Sequence, residues 1–190
     1  MQLGLYFDQT RCTGCLTCVI ACKDWHSTSD RSTNWMKVTC FEEGGFPNVF
    51  VSYLIRSCFH CANPPCQEVC PADAIIKRGR DGIVVVDRNA CIGKTGCGAC
   101  ADACPFGAPQ FDIDEDGKMQ KCDLCLEQWQ EGKLPICVES CPLRALDADD
   151  LEGLKIKYGE PCEATGFVYD VKAKPSIIIK GKINPYKKDS

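Results

Sequence analysis

The chain has 190 residues, eighteen of them cysteine, which reaches the level of ~8–10% where composition alone signals a covalent or metal-held scaffold. Leu, Ile, Val and Phe together stay close to the roughly 20% minimum for a self-sufficient core, so something besides apolar burial holds the fold. Twenty-two Lys+Arg against 26 Asp+Glu give a formal charge of −4 without a basic stripe, so no nucleic-acid partner is expected.

The opening Met1 to Asp8 has no basic n-region, apolar h-region or twin-Arg pair ahead of the first cysteine, Cys12. A secretory disulfide framework is therefore not expected. The longest aliphatic runs, Ile83 to Val86 and Ile177 to Ile179, fall far short of the ~20 residues of a membrane helix. The expectation is a soluble, cytoplasmic chain with no direct membrane span; the alternative is export in folded form beside a signal-bearing partner.

Sixteen cysteines sort by spacing into four quartets in chain order. The first is Cys12-x2-Cys15-x2-Cys18-x3-Cys22 and the second Cys58-x2-Cys61-x4-Cys66-x3-Cys70. The third is Cys91-x5-Cys97-x2-Cys100-x3-Cys104 and the fourth Cys122-x2-Cys125-x11-Cys137-x3-Cys141. Three copies of C-x3-C-P-x2-A close the later quartets, with Pro71, Pro105 and Pro142, whereas the first quartet has Lys23 in that place. Cys40 and Cys162 are left over and read most simply as buried small hydrophobes.

Between the quartets, Ala74 to Lys77 and Ile83 to Val86 flank a Gly79-Arg80-Asp81-Gly82 turn and predict a β-hairpin. Gln110 to Ile113 and Lys118 to Lys121 predict a second, around Asp114 to Gly117. The Ala-rich runs Cys15 to Asp24 and Cys97 to Ala103 predict helices of one or two turns. Asp147 to Leu154 reads as a capped helix. Lys174 to Lys180 reads as one strand before a polar tail, taken as a peripheral arm.

A cubane cluster offers several iron corners to one tight loop, so closely spaced cysteines reach it without backbone strain. In the two-cluster ferredoxin run C-x2-C-x2-C-x3-C-P the last cysteine serves the other cluster. Quartets of this kind come in pairs, and the proline after the distant ligand ends the local helix. Zinc knuckles are the bland alternative, because C-x2-C pairs also bind zinc; the first quartet and the threefold C-x3-C-P fit zinc poorly. In the third quartet, Gly93 and Gly96 bracket extra residues. Cys91 is still expected to reach iron, the alternative being a [3Fe–4S] cluster with Cys91 idle. His60, between Cys58 and Cys61, could tune a cluster through a sulfur hydrogen bond, although packing is the simpler reading. Trp25, Trp35 and Trp129 read as packing residues.

The four quartets, with Asp8-Gln9-Thr10-Arg11-Cys12-Thr13-Gly14-Cys15, Ala21-Cys22-Lys23-Asp24, Cys58-Phe59-His60-Cys61-Ala62-Asn63-Pro64-Pro65-Cys66 and Pro135-Ile136-Cys137-Val138-Glu139-Ser140-Cys141-Pro142, resemble the iron–sulfur subunits of the dimethyl sulfoxide reductase family. The resemblance implies an α+β fold of two ferredoxin-like halves with short helices, β-hairpins and a C-terminal arm. Residues 1–50 and 110–150 would form one half, 51–109 the inserted half and 151–190 the arm. It also implies four [4Fe–4S] clusters, held by Cys12, Cys15, Cys18 and Cys141; by Cys122, Cys125, Cys137 and Cys22; by Cys58, Cys61, Cys66 and Cys104; and by Cys91, Cys97, Cys100 and Cys70. The implied function is a non-catalytic electron relay between a subunit holding a molybdenum or tungsten pterin cofactor and a redox partner, with a further redox or membrane-anchor subunit as an additional partner. The rival readings are the same relay beside a tungsten aldehyde oxidoreductase-type enzyme, an aromatic-ring reductase or a hydrogenase, a free polyferredoxin, and a zinc-held interaction module.

Overall fold

The computed structural model describes residues 1–28, 33–112, 116–160 and 163–186. In chain order the elements begin with β1 (Leu3–Asp8), α1 (Thr17–Trp25), β2 (Lys37–Gly45), β3 (Asn48–Arg56), α2 (Pro65–Glu68), β4 (Ile75–Lys77) and β5 (Val84–Val86). They continue with α3 (Gly93–Gly96), α4 (Ala99–Ala103), β6 (Gln110–Phe111), β7 (Met119–Gln120), α5 (Leu126–Gln130), α6 (Ile136–Glu139), β8 (Leu146–Asp150), α7 (Leu151–Tyr158) and β9 (Ile177–Lys180). The class is α+β, with short helices and antiparallel hairpins as expected.

A three-stranded sheet of order β8-β1-β9 forms the floor, with β1 antiparallel to β8 and parallel to β9. Strand side chains alternate between faces, and β1 is buried on both. Leu3, Leu5 and Phe7 join Leu146, Ala148, Ile177 and Ile179 in the main core, together with Cys22, Cys61 and Cys137. Tyr6 and Ile178 face the other way and meet Leu154 of α7. The 151–190 segment thus contributes a helix that packs on this sheet and a strand within it.

The helix expected over Asp147 to Leu154 is corrected. Leu146 to Asp150 is strand β8, because Leu146 and Ala148 alternate inward against Phe7 and Leu5, and α7 starts only at Leu151. The β4/β5 hairpin forms in the expected register, with Ile75 opposite Val86. The second hairpin pairs Gln110 with Gln120 and Phe111 with Met119; Ile113, Asp114 and Glu115 of its turn lie outside the described residues. The nine-residue hairpin strands β2 and β3 are an addition to the expected elements. Cys40 sits on β2 and is exposed, which corrects its reading as a buried hydrophobe, and Cys162 lies outside the described residues.

Helix length follows the residue after each C-x3-C. Cys66, Cys100 and Cys137 sit on helices of four or five residues, and their partners Cys70, Cys104 and Cys141 lie just past the end, each followed by proline. Proline lacks the amide a continuing helix needs. Where Lys23 replaces it, α1 runs for nine residues and carries both Cys18 and Cys22.

Candidate metal centres

The cysteine loops converge on four places. Cys12, Cys15, Cys18 and Cys141 line a hollow of about 370 Å³ with Gly14, Leu16 and Pro142. Gly14 has φ +70°, and a Cβ there would run into the Tyr53 ring, so the loop needs glycine to turn between Cys12 and Cys15. Burial and the neighbouring Cys12, Cys141 and Cys15 thiols push Cys18 up to about 11. The exposed Cys15 thiol is lowered instead by hydrogen bonds from Thr17.

Cys70, Cys91, Cys97 and Cys100 line a second hollow of about 370 Å³. The extra residues of the third quartet fold into the turn α3, so Cys91 faces the same space as the other three. The Met119 amide donates to Cys91 Sγ at 3.4 Å. Burial, then Cys91, Cys97 and Cys70, push the Cys100 thiol up to about 11. Cys97 is lowered by the Ala99 and Gly98 amides.

The other two sets are interior. Burial raises Cys61 to about 12, reinforced by Cys58, Cys104 and Cys66. It raises Cys22 to about 12 beside Cys125, and Cys137 well above its ordinary value beside Cys122, Cys125 and Cys22. Cys22, Cys122, Cys125 and Cys137 are all buried, as are Cys58, Cys61 and Cys66. Thiols this unwilling to ionise alone become thiolates on binding metal, with release of protons.

Backbone amides aim at the sulfurs. The Ala108 amide donates to Cys104 Sγ at 3.5 Å and the Ala145 amide to Cys141 Sγ at 3.3 Å, which gives the alanine of C-x3-C-P-x2-A a role: its position brings an amide back onto the cysteine four residues earlier. His60 is buried, and its Nδ1 accepts the Val84 N–H at 3.0 Å, which leaves the proton on Nε2. Nε2 has no partner among the described residues. A buried donor without a protein acceptor, between two cysteines, fits a bound group that carries acceptor sulfurs. The donor set fits iron–sulfur clusters better than zinc, because all four sets combine an amide-supported sulfur with cysteines from two separate runs.

Two groups of four cysteines thus each line one hollow, and in the interior Cys61 has Cys58, Cys104 and Cys66 as neighbours, and Cys137 has Cys122, Cys125 and Cys22. Three neighbours were not singled out as site residues in the sequence. His26 Nε2 lies 3.4 Å from Cys125 Sγ, and Trp35 packs against the cluster of Cys58 and Cys122 while its ring meets that of His26 at a tilt, with centroids 4.4 Å apart. Lys121 is buried beside Cys122. Only chain crossings unseen in the sequence bring His26 and Trp35 there; for Lys121 the one signal was its place next to a quartet cysteine.

Residues 49–151 match the family of 4Fe-4S dicluster domains. The chain is 42% identical to a chain of the anaerobic dimethyl sulfoxide reductase of Escherichia coli (strain K12), over 96% of its own length and 90% of that relative. It belongs to the iron–sulfur subunits of the dimethyl sulfoxide reductase family. The corresponding protein of Haemophilus influenzae is 39% identical, over 94% of this chain and 89% of its own length. A sulfite dehydrogenase subunit of Allochromatium vinosum is 38% identical, over 76% and 67%. As a member of this family the chain is an iron–sulfur electron-transfer subunit and not a catalytic one. Among the described residues no helix is long and apolar enough to cross a membrane.

Proposed function

We propose that the chain holds four [4Fe–4S] clusters in a row and relays electrons between a catalytic subunit with a molybdenum or tungsten pterin cofactor and a second redox partner. The ligands are the four sets above, and the two ferredoxin-like halves are nested, with 51–109 inserted. The observation that carries the reading is the exchange of fourth cysteines. Cys141 sits with Cys12, Cys15 and Cys18, while Cys22 sits with Cys122, Cys125 and Cys137. Cys70 and Cys104 are exchanged in the same way.

The nearness of thiols in one set to those of the next supports the order. Cys18 is felt by Cys22 and Cys137, Cys58 by Cys122 and Cys100 by Cys66. The row would run from the Cys12 set through the Cys22 set and the Cys58 set to the Cys91 set. Burial agrees, since the two middle sets are interior and the two end sets are more open. Exposed Leu16, Ile20 and Leu143 flank one end, and Val69, Ile76 and Ile92 the other. Apolar patches at the two ends suit two docking partners.

The test is anaerobic purification of the chain with whatever binds it, followed by assay of Fe, sulfide, Zn, Mo and W. About sixteen Fe and sixteen sulfide per chain, four per cubane, with Mo or W, is the expected result. Zinc in place of iron would end the electron-transfer reading, and iron without Mo or W would end the pterin partner.

A further inference from the structure

Two lysines in the interior half of the row are buried in a way that calls for something negative beside them. Lys121 is 3% exposed, and its ammonium donates to the carbonyl oxygens of Val84 and, at 3.0 Å, of Cys122. The half-buried Lys77 donates to Gln2 Oε1 at 2.7 Å, Gly82 O at 2.9 Å and Cys61 O at 3.0 Å. Among the described residues neither has a carboxylate at ion-pair distance. The nearest acid to Lys77, Asp81, is already held by Arg78 and Arg80.

An ammonium surrounded only by neutral oxygens is a costly thing to bury, and a compensating anion must make up the difference. The cysteines supply the place for one. Lys121 bonds the carbonyl of Val84, which packs in one cluster with Cys66, and Lys77 bonds the Cys61 carbonyl itself. The two cations thus approach the Cys58/Cys61/Cys66/Cys104 set from separate strands, one on β4 and one at the end of β7. Their hold is fixed by the backbone: the Val84 peptide gives its N–H to His60 and its carbonyl to Lys121.

The adjoining interior set shares Lys121, next to Cys122, but is otherwise surrounded by acids. Asp123, Glu139 and Glu127 all lie near Cys125, and Asp123 also near Cys22. A cubane with four thiolates already carries about −2, and reduction adds one more negative charge. Fixed cations favour that electron and fixed anions oppose it.

We propose that Lys77 and Lys121 are built-in counter-ions of the Cys58/Cys61/Cys66/Cys104 site and make it more readily reduced than the adjoining interior site. The inference rests on the ligand sets proposed above. Its mechanism is a permanent charge at a fixed place, so it sets the potential without moving a proton.

The test is a redox titration of the purified complex followed by electron paramagnetic resonance, with the signal of this site identified by its change in Cys58→Ser. Lys121→Met should make this site about tenfold harder to reduce, roughly 59 mV for one electron, and leave the two end sites unmoved. Lys121→Arg, which keeps the charge, should stay within about threefold of the parent. Lys77→Met should shift the same site in the same direction by less, because that ammonium is half in water. If Lys121→Met fails to assemble, the Lys77→Met shift decides alone. No shift in a complex holding about sixteen iron, or an equal shift at all four sites, overturns the inference. A parent complex without that iron overturns the ligand reading beneath it, and the inference with it.

Discussion

The two interior cysteine sets are neighbours built from the same parts, yet the balance of charge around them differs. Each takes three cysteines from one stretch of chain and a fourth from its partner, and each is shielded from water. Around Cys22, Cys122, Cys125 and Cys137 stand Asp123, Glu127 and Glu139 as well as Lys121; around Cys58, Cys61, Cys66 and Cys104 stand Lys77 and Lys121 without those acids. The ligand motif fixes what binds, and residues outside the motif fix how tightly the bound group holds its electron.

The most severe challenge to this contrast is to remove one ligand from each set. Cys137→Ser and Cys66→Ser should each alter the signal of one interior site and leave the other in place, read by iron content and electron paramagnetic resonance. Loss of both signals from either variant would mean that the two sets are not separate centres. A smaller change probes the balance of charge: Asp123→Asn removes one anion beside Cys22 and Cys125 and should make that site several-fold easier to reduce. A potential that stays put would show that Asp123 is solvated and electrically silent.

Trp35 probes the seam between the sets. Its Nε1 donates to Gln120 Oε1 at 3.0 Å, and Trp35→Phe should cost about 1 kcal/mol of stability, the usual worth of such a bond, in thermal unfolding. A control lies on the other face of the sheet, where Asp147 pairs with Tyr6 beneath α7. Asp147 is desolvated, but its bonds to Lys157 and Tyr158 outweigh that and hold its carboxyl below the ordinary value. A carboxyl lowered in the fold adds stability above its unfolded pKa of about 3.9 and loses it as the pH falls through the folded value. Asp147→Asn should therefore flatten the acid limb of stability below about pH 4, with every redox potential unchanged.

Much of the site was legible in the sequence because cluster loops are local. Cysteine spacing, the three prolines and Gly93 are all set by a few adjacent residues, and so are the two short hairpins. The central sheet was not legible. Leu3 to Asp8 lacks flanking turn signals and becomes a strand by pairing with Leu146 to Asp150 and Ile177 to Lys180, both far along the chain. The same pairing turned the acidic stretch at Asp147 from an expected helix into a strand. Lys77 and Lys121 looked like any other polar residues in their hairpins. Only the approach of Val84, 37 residues away, to the Lys121–Cys122 stretch gives the Lys121 ammonium its buried place.

The interleaved row of centres stands on the exchange of distal cysteines, and one variant measures it. Cys22→Ser, made in the intact complex and read by electron paramagnetic resonance alongside Cys125→Ser and Cys15→Ser, should disturb the signal that Cys125→Ser disturbs. A change confined instead to the signal that Cys15→Ser affects would return Cys22 to its own quartet and contradict the interleaving.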